Sequence, residues 1–273
     1  MAKFELILKG ENNKKTFFAI PSQNQYQDIS NLKVLGKHET INEALYGNSV
    51  LVFEGGITVE FEAILKPFKA NLPKNASLSS YSEKAKKFIR QDRFVNPKNP
   101  KIVKIASEIE GKDIASILEN SYKFVIKKLT YGKPYEGLYT YQEVLDSNVT
   151  DCGGFSTLLA SILNSKGIPT RIVVGYLVKK STKRNLVSKF KTIKMGFDDL
   201  YMHAWVEALL PNGKWFPMDA SLEWRRENGF TKRTGGFGFI DEDRLVTSFG
   251  EDFRFDYLGK KYQIDILQAP ISL

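Results

Sequence analysis

Three observations predict an α+β protein in which helices pack on an antiparallel sheet, preceded by a small N-terminal β domain. Residues 3–65 alternate apolar and polar side chains with the period of two that strands require. Residues 100–132 switch to apolar spacings of three and four, the mark of amphipathic helices. Residues 152–219 then give one further helix followed by three β-rich runs.

The N-terminal part opens with Phe4, Leu6 and Leu8 alternating against Glu5, Ile7 and Lys9, then an apolar stretch in Phe17, Phe18, Ala19 and Ile20. Val50 to Phe53 leads through Glu54, Gly55 and Gly56 into Ile57, Val59 and Phe61, which reads as a hairpin. Its second arm alternates with Thr58, Glu60 and Glu62, so one face is dry and one is wet. A stretch rich in Pro, Asn, Ser and Lys follows, with a short helix around Glu83 to Arg90. The expected division is therefore a β domain over 1–68, a linker over 69–99 and a main domain over 100–273.

From Pro100 onward, Ile102, Val103, Ile105, Ala106 and Ile109 trace a helix that ends at Gly111. A second helix carries Ile114, Ile117, Leu118, Tyr122, Val125, Ile126 and Leu129 on one stripe, leaves Lys123, Lys127 and Lys128 to solvent, and stops at Gly132. After a short segment around Tyr141 to Leu145, Asp151-Cys152-Gly153-Gly154 starts a third, with Phe155, Leu158, Leu159, Ile162 and Leu163 on one face and Gly167 and Pro169 closing it. Runs 171–178, 201–210 and 214–219 are strands. The tail alternates again in Phe237, Phe239, Leu245, Phe253, Phe255, Tyr257 and Ile264, and is expected to extend the sheet or pack beside it.

Composition narrows the function classes. With 42% hydrophobic residues, nineteen Phe and twelve Tyr, the chain has ample material for a packed core. A single cysteine forms no internal disulfide, which fits a reducing compartment. Lys3, Glu5, Lys9 and Glu11 stand where an export signal would be apolar, and no run approaches the roughly 18 apolar residues of a membrane span, so the expectation is a cytoplasmic protein without a membrane partner. The net charge of +9 suits acidic partners, but without a nucleic-acid motif it reads as a solvated basic surface, and nucleic acid is an unlikely partner. One Cys and two His supply no zinc cluster, and Gly235-Gly236-Phe237-Gly238 lacks the helix and lysine of a phosphate cradle, so neither metal nor cofactor is expected. Asn75-Ala76-Ser77 and Asn148-Val149-Thr150 match glycosylation sequons as short-pattern coincidences.

The chemistry gathers on scarce residues. Cys152 falls in the first turn of its helix, where unpaired N–H groups and the helix dipole favour a thiolate. His203, Trp205 and Glu207 share one side of their strand; Trp215, Pro217 and Asp219 share a side of the next. A turn centred on Pro211-Asn212-Gly213 sets residue 203 level with residue 221, one same-face step from Asp219, unless a bulge shifts the register. A lone cysteine is commonly a small buried hydrophobe and a lone histidine a satisfied structural group. Here the single Cys and one of the two His both fall in the chemically suggestive blocks, and His38 is left as structural.

Asp151-Cys152-Gly153-Gly154-Phe155, with Leu158-Leu159-Ala160, Gly167-Ile168-Pro169-Thr170-Arg171 and Gly175-Tyr176, resembles the nucleophile helix and following strand of the transglutaminase-like superfamily of thiol enzymes. His203-Ala204-Trp205-Val206-Glu207 resembles that family's histidine strand, and Gly213-Lys214-Trp215 through Met218-Asp219 its aspartate strand. The blocks keep the family's order, and with the lead-in Leu129-Thr130-Tyr131 the resemblance runs from Pro100 to Leu222. It implies a papain-like α+β core with a Cys152, His203, Asp219 triad and a thioester intermediate. The implied reaction is hydrolysis or acyl transfer on peptide or glutamine-type amides, with protease or amidase activity favoured over cross-linking. A catalytically silent scaffold of the same fold is the alternative. For the oxyanion, the Cys152 N–H and a side chain such as Gln142 are candidates. The substrate expected is a peptide or protein. The run Lys179, Lys180, Lys183, Arg184, Lys189, Lys191 and Lys194 would favour an acidic one if it borders the cleft.

Overall fold

The computed structural model describes residues 2–73, 75–179 and 193–273. By its contacts the chain forms two units, the first made of Met1–Phe68, Val174–His203 and Asp241–Leu273, the second of Lys69–Val173 and Ala204–Ile240. The strands Thr170–Val178 and Leu200–Leu209 each run from one unit into the other. The architecture is α+β, with helices and antiparallel sheets, as expected.

In the first unit, alternation creates a two-sheet packing. Strands β1 (Ala2–Lys9), β2 (Thr16–Ala19), β3 (Gln27–Leu35), β4 (His38–Asn42), β5 (Ser49–Phe53) and β6 (Gly56–Leu65) divide between two sheets. One has the order Ile193–Met195, β1, β6, β3; the other has Ile271–Ser272, β2, β5, β4. The alternate residues Phe4, Leu6, Val59 and Phe61 of the first sheet meet Phe18, Leu51 and Phe53 of the second in one buried cluster. Phe4 and Phe61 stack with ring centroids 4.9 Å apart. The second sheet is buried on its other face too, where Phe17, Ala19, Val50 and Val52 pack with Phe253, Phe255, Tyr257 and Leu267. This is why residues 17–20 read as an unbroken apolar run rather than an alternating one.

The expected hairpin through Glu54-Gly55-Gly56 does not form. β5 pairs with β2 and β4, whereas β6 pairs with β1 and β3, so the glycines carry the chain from one sheet to the other. Gly55 takes the left-handed conformation this turn needs (φ +71°), and its carbonyl accepts from Gly10 N at 2.6 Å. Alternation reports which face of a strand is dry; it does not report which strand lies alongside.

The tail extends the sheet, as expected, with Arg244–Phe249 paired beside Thr170–Val178, but by contact residues 241–273 group with the N-terminal strands. Two buried amides account for this. Gln27 donates to Val246 O (2.9 Å) and accepts from Val246 N (2.8 Å), and Asn48 does the same at Phe249 (2.8 and 2.9 Å). Each side chain acts as a short piece of strand against Arg244–Phe249. Close approach is also enforced at Gly175, where an added Cβ would lie 2.0 Å from Leu245 O.

The second unit is mainly helical. Pro100–Glu108 is capped by Asn99, Ile114–Lys128 by an Asp113/Ser116 box and Tyr141–Ser147 by a Thr140/Glu143 box. The cysteine helix, Cys152–Ser165, is buried at every residue from Gly153 to Asn164, so the others gather around it. Residues 69–99, expected as a linker, pack into this unit: only Glu83–Lys86 is α-helical, yet Phe94 and Val95 are buried and Tyr81 Oη donates to Leu209 O at 2.6 Å. The segment's polar residues, such as Asn75, Ser79, Lys84 and Lys87, stay exposed while these few side chains anchor it. None of the described helices is long and apolar enough to cross a membrane.

Three adjacent strands are tied across their faces by one cation. Arg171 on Thr170–Val178 pairs through Nε with Glu207 Oε2 at 2.6 Å on Leu200–Leu209, and its guanidinium lies 4.1 Å from the Trp215 ring on Trp215–Met218. The Glu207 side chain has no solvent exposure, so a carboxylate without this partner is strongly disfavoured. Arg171→Leu is expected to lower unfolding stability by about 3 kcal/mol or more. Arg171→Leu with Glu207→Leu should recover much of that loss, as measured by urea denaturation of the full chain.

Candidate active site

The cysteine helix starts where it does because Asp151 terminates it. Its carboxylate Oδ1 accepts from Gly153 N (2.8 Å) and Gly154 N (3.4 Å), and Oδ2 accepts from Tyr135 N (3.1 Å). Asp151 is itself buried, so these bonds replace water on an ionised group. Gly154 is required by crowding: a Cβ there would lie 1.9 Å from Thr150 Oγ1. Cys152 is thereby fixed as the first helical residue, half-buried.

The helix terminus does not by itself make an acidic thiol. Burial pushes Cys152 up to about 12, and the nearby negative charge of Asp151 adds to this. The backbone N–H of Ala204, and less so that of Gly153, acts in the opposite direction, while the Asp219 charge raises it further. The expected stabilisation from the helix end is present in the Gly153 N–H but is outweighed by desolvation and the capping carboxylate.

Ala204, whose N–H acts on the thiol, lies on the next strand. It follows His203 on Leu200–Leu209, a strand buried at every residue from His203 to Leu209. His203 belongs by contact to the first unit, where its carbonyl accepts from Gln268 Nε2 at 3.1 Å. The strand pairs with Trp215–Met218 from Val206 opposite Met218 to Leu209 opposite Trp215, a register symmetric about Asn212, as the turn position predicts. Glu207 lies opposite Pro217, so odd-numbered residues of both strands share a face of the ladder.

The ladder ends at Met218, and Asp219 turns the chain into helix Ala220–Glu227. Fully buried, Asp219 caps that helix: Oδ1 accepts from Leu222 N at 3.0 Å and Ser221 Oγ at 3.1 Å, and its N–H donates to Gly236 O at 3.1 Å. Tyr122 Oη hydrogen-bonds Asp219 O at 3.0 Å and Glu223 Oε2 at 2.5 Å. Burial, then the Glu223 charge, hold the Tyr122 hydroxyl protonated well above its ordinary range.

Other sequence candidates are placed elsewhere. Gln142 Nε2 donates to both Asp146 carboxylate oxygens at 3.1 Å on an exposed helix face. His38 lies on the edge strand β4 with Nδ1 2.9 Å from Gly36 O. Residues 180–192 of the basic run lie outside the described residues, and Lys179 hydrogen-bonds Asp198 O beside the Tyr201 ring. Among the described residues, no group of three or more His, Cys, Asp or Glu is arranged to hold a metal. Sequence reasoning passed over Tyr131, whose hydroxyl is raised first by burial and next by the Cys152 charge, and Arg225, stacked on its ring. The only signal for Tyr131 was its place in the lead-in Leu129-Thr130-Tyr131.

Residues 103–220 match the model of the transglutaminase-like superfamily. No curated protein matches the chain in sequence. A solved structure from Cytophaga hutchinsonii, provisionally named a cysteine protease, is similar with a TM-score of 0.60 and 12% identity, covering 90% of this chain and 79% of that one. The periplasmic domain of TgpA from Pseudomonas aeruginosa, bound to ethylmercury, gives a TM-score of 0.41 at 13% identity over 81% of this chain and 94% of that one. Red sea bream transglutaminase gives 0.31 at 13% over 79% and 46%. At 12% identity the likeness to the Cytophaga hutchinsonii structure is one of fold.

Capping and charge at Asp219 are separable. Asp219→Asn keeps an oxygen for Leu222 N and should change stability by less than about 1 kcal/mol, while Asp219→Ala removes the cap and should cost about 1–2 kcal/mol in urea unfolding.

Proposed function

We propose, on the premise that residues 103–220 form a transglutaminase-like core, that this protein is a thiol hydrolase or acyltransferase acting on peptide or glutamine-type amides through Cys152, His203 and Asp219. The observation that carries the reading is that Cys152 is the first residue of a buried helix inside the span 103–220, with Asp219 among the charges that act on its thiol. Support also comes from the register that leads the paired strand to Asp219.

In this reading His203 takes the Cys152 proton, and the sulfur attacks the amide carbonyl carbon. The C–N bond then breaks as the imidazolium returns the proton to the leaving amine, which leaves a thioester. Water, or an acceptor amine, attacks the thioester carbon; His203 takes the incoming proton and returns it to sulfur as the acid or new amide departs. We assign Asp219 Oδ2 to the imidazole and Oδ1 to the helix cap. Hydrolysis is favoured, in keeping with the protease name carried by the similar Cytophaga hutchinsonii structure. A cytoplasmic location and a peptide or protein substrate belong to the same proposal.

The raised Cys152 thiol favours a second reading, a silent scaffold. Burial and the Asp151 charge disfavour the thiolate of an isolated thiol here. Imidazolium pairing is the interaction able to reverse this.

The pH profile of Cys152 alkylation by iodoacetamide, read by mass spectrometry, separates the two readings. In an enzyme the intact protein gives a reactive plateau across neutral pH. His203→Ala loses the plateau and reacts only as the pH climbs toward 12. A profile that is the same in both proteins sinks the triad. Asp151→Asn, which removes a charge that raises the thiol, should shift the alkaline limb of His203→Ala to lower pH. Cys152→Ala should abolish turnover in a peptide and glutamine-amide screen while keeping the fold.

A further inference from the structure

We infer that Arg225 binds a substrate carboxylate beside Cys152, so that the site selects peptides carrying a carboxylate close to the amide it attacks. The inference rests on the thiol-enzyme reading above and names the substrate class of that site.

Two consecutive arginines near the end of helix Ala220–Glu227 behave differently. Arg226 is committed to structure, with Nη1 donating to Gly235 O at 2.6 Å and Nη2 3.7 Å from Glu223 Oε2. The Arg225 side chain, half-buried, has neither an ion pair nor a hydrogen bond among the described residues, its backbone carbonyl alone accepting from Phe230 N at 2.8 Å. Its guanidinium instead lies 4.8 Å from the centroid of the Tyr131 ring. A guanidinium stacked on an aromatic face keeps its N–H edge for a planar anion, the geometry of bidentate carboxylate binding.

The location is the thiol's own surroundings. Tyr131 lies opposite Thr150, two residues before Cys152, in the short parallel pair Thr130–Tyr131 and Val149–Thr150. Its ring is 6.3 Å from that of Phe155 on the cysteine helix. Cys152 is also the leading charged group acting on the Tyr131 hydroxyl. From there the rings continue outward: Tyr131 stacks on Trp224 at 6.4 Å, and Trp224 on Phe230 at 5.7 Å, with Phe230 69% exposed. An exposed phenyl ring ending such a row gives a flat apolar surface alongside an uncommitted cation. Asp151 and Asp219 both act on the same thiol and would repel an anion, and Arg225 supplies a cation that offsets them.

The test compares iodoacetate, which carries a carboxylate on the reacting carbon, with neutral iodoacetamide at Cys152 of the full chain. The ratio of the two rates at low salt should fall about fivefold in Arg225→Gln, recover in part in Arg225→Lys, and stay unchanged in the control Lys127→Gln. About 0.5 M salt should shrink the difference between Arg225→Gln and the parent. A peptide carboxylate is either an acidic side chain or a free C terminus, and protection against iodoacetamide distinguishes them. Acetyl-Phe-Glu amide, acetyl-Phe-Gly with a free C terminus, and neutral acetyl-Phe-Gln amide are the three probes. At least one of the two anionic peptides should protect more than the neutral one, and lose that advantage in Arg225→Gln. A rate ratio unmoved by Arg225→Gln, or equal protection by all three peptides, overturns the inference. If Cys152 reacts with neither reagent at any pH, the thiol-enzyme reading falls with it; a His203-dependent plateau with an unmoved ratio removes this inference alone.

Discussion

A helix buried on every side cannot leave its first N–H groups without partners, and the arrangement around Cys152 follows from how that demand is met. Asp151 meets it with an ionised carboxylate. The same carboxylate then stands next to the thiol and, together with burial, works against the thiolate. Structural need and chemical need oppose each other at adjacent residues. The Ala204 and Gly153 N–H groups answer the opposition in part. The remainder is what an imidazolium from His203 would supply in the proposed enzyme, so that the protein's reactivity would hang on that pair and not on the helix end.

A second buried carboxylate carries a similar double load. Asp219 ends a strand ladder, starts a helix and accepts two hydrogen bonds through one oxygen. Such anchoring restricts the carboxylate to one orientation, which is what a group that aligns an imidazole requires. The helix it caps also carries Trp224 and Arg225, so the cap, the aromatic row and the stacked cation are set by one short element. A shift in that helix would move all three together.

The first unit shows how strongly a few long-range side-chain bonds decide grouping. Gln27 and Asn48 each complete two backbone hydrogen bonds on Arg244–Phe249, more than two hundred residues away in the chain. Buried amides of this kind are fully satisfied only when both partners are present, which ties the N-terminal strands to the tail.

The sequence by itself determined the period of most elements, and so the dry face of β1 and β6, the extent of helices Pro100–Glu108, Ile114–Lys128 and Cys152–Ser165, and the order of the three blocks bearing Cys152, His203 and Asp219. Those features are local: they depend on side-chain spacing, on capping residues such as Asp113 and Thr140, and on the turn at Asn212, whose symmetry set the register of the following ladder. Tertiary structure alone decided which strands pair, because β5 and β6 look like a hairpin at the level of alternation but face each other from separate sheets. It also decided that residues 69–99 pack rather than link, that Gln142 is held by Asp146, and that Tyr131 and Arg225 meet near the thiol. The state of the thiol belongs to the same class. A helix position read from sequence predicts stabilisation by the dipole, but the density of atoms around the sulfur and the nearness of a carboxylate are properties of the packed chain, and desolvation is the larger effect.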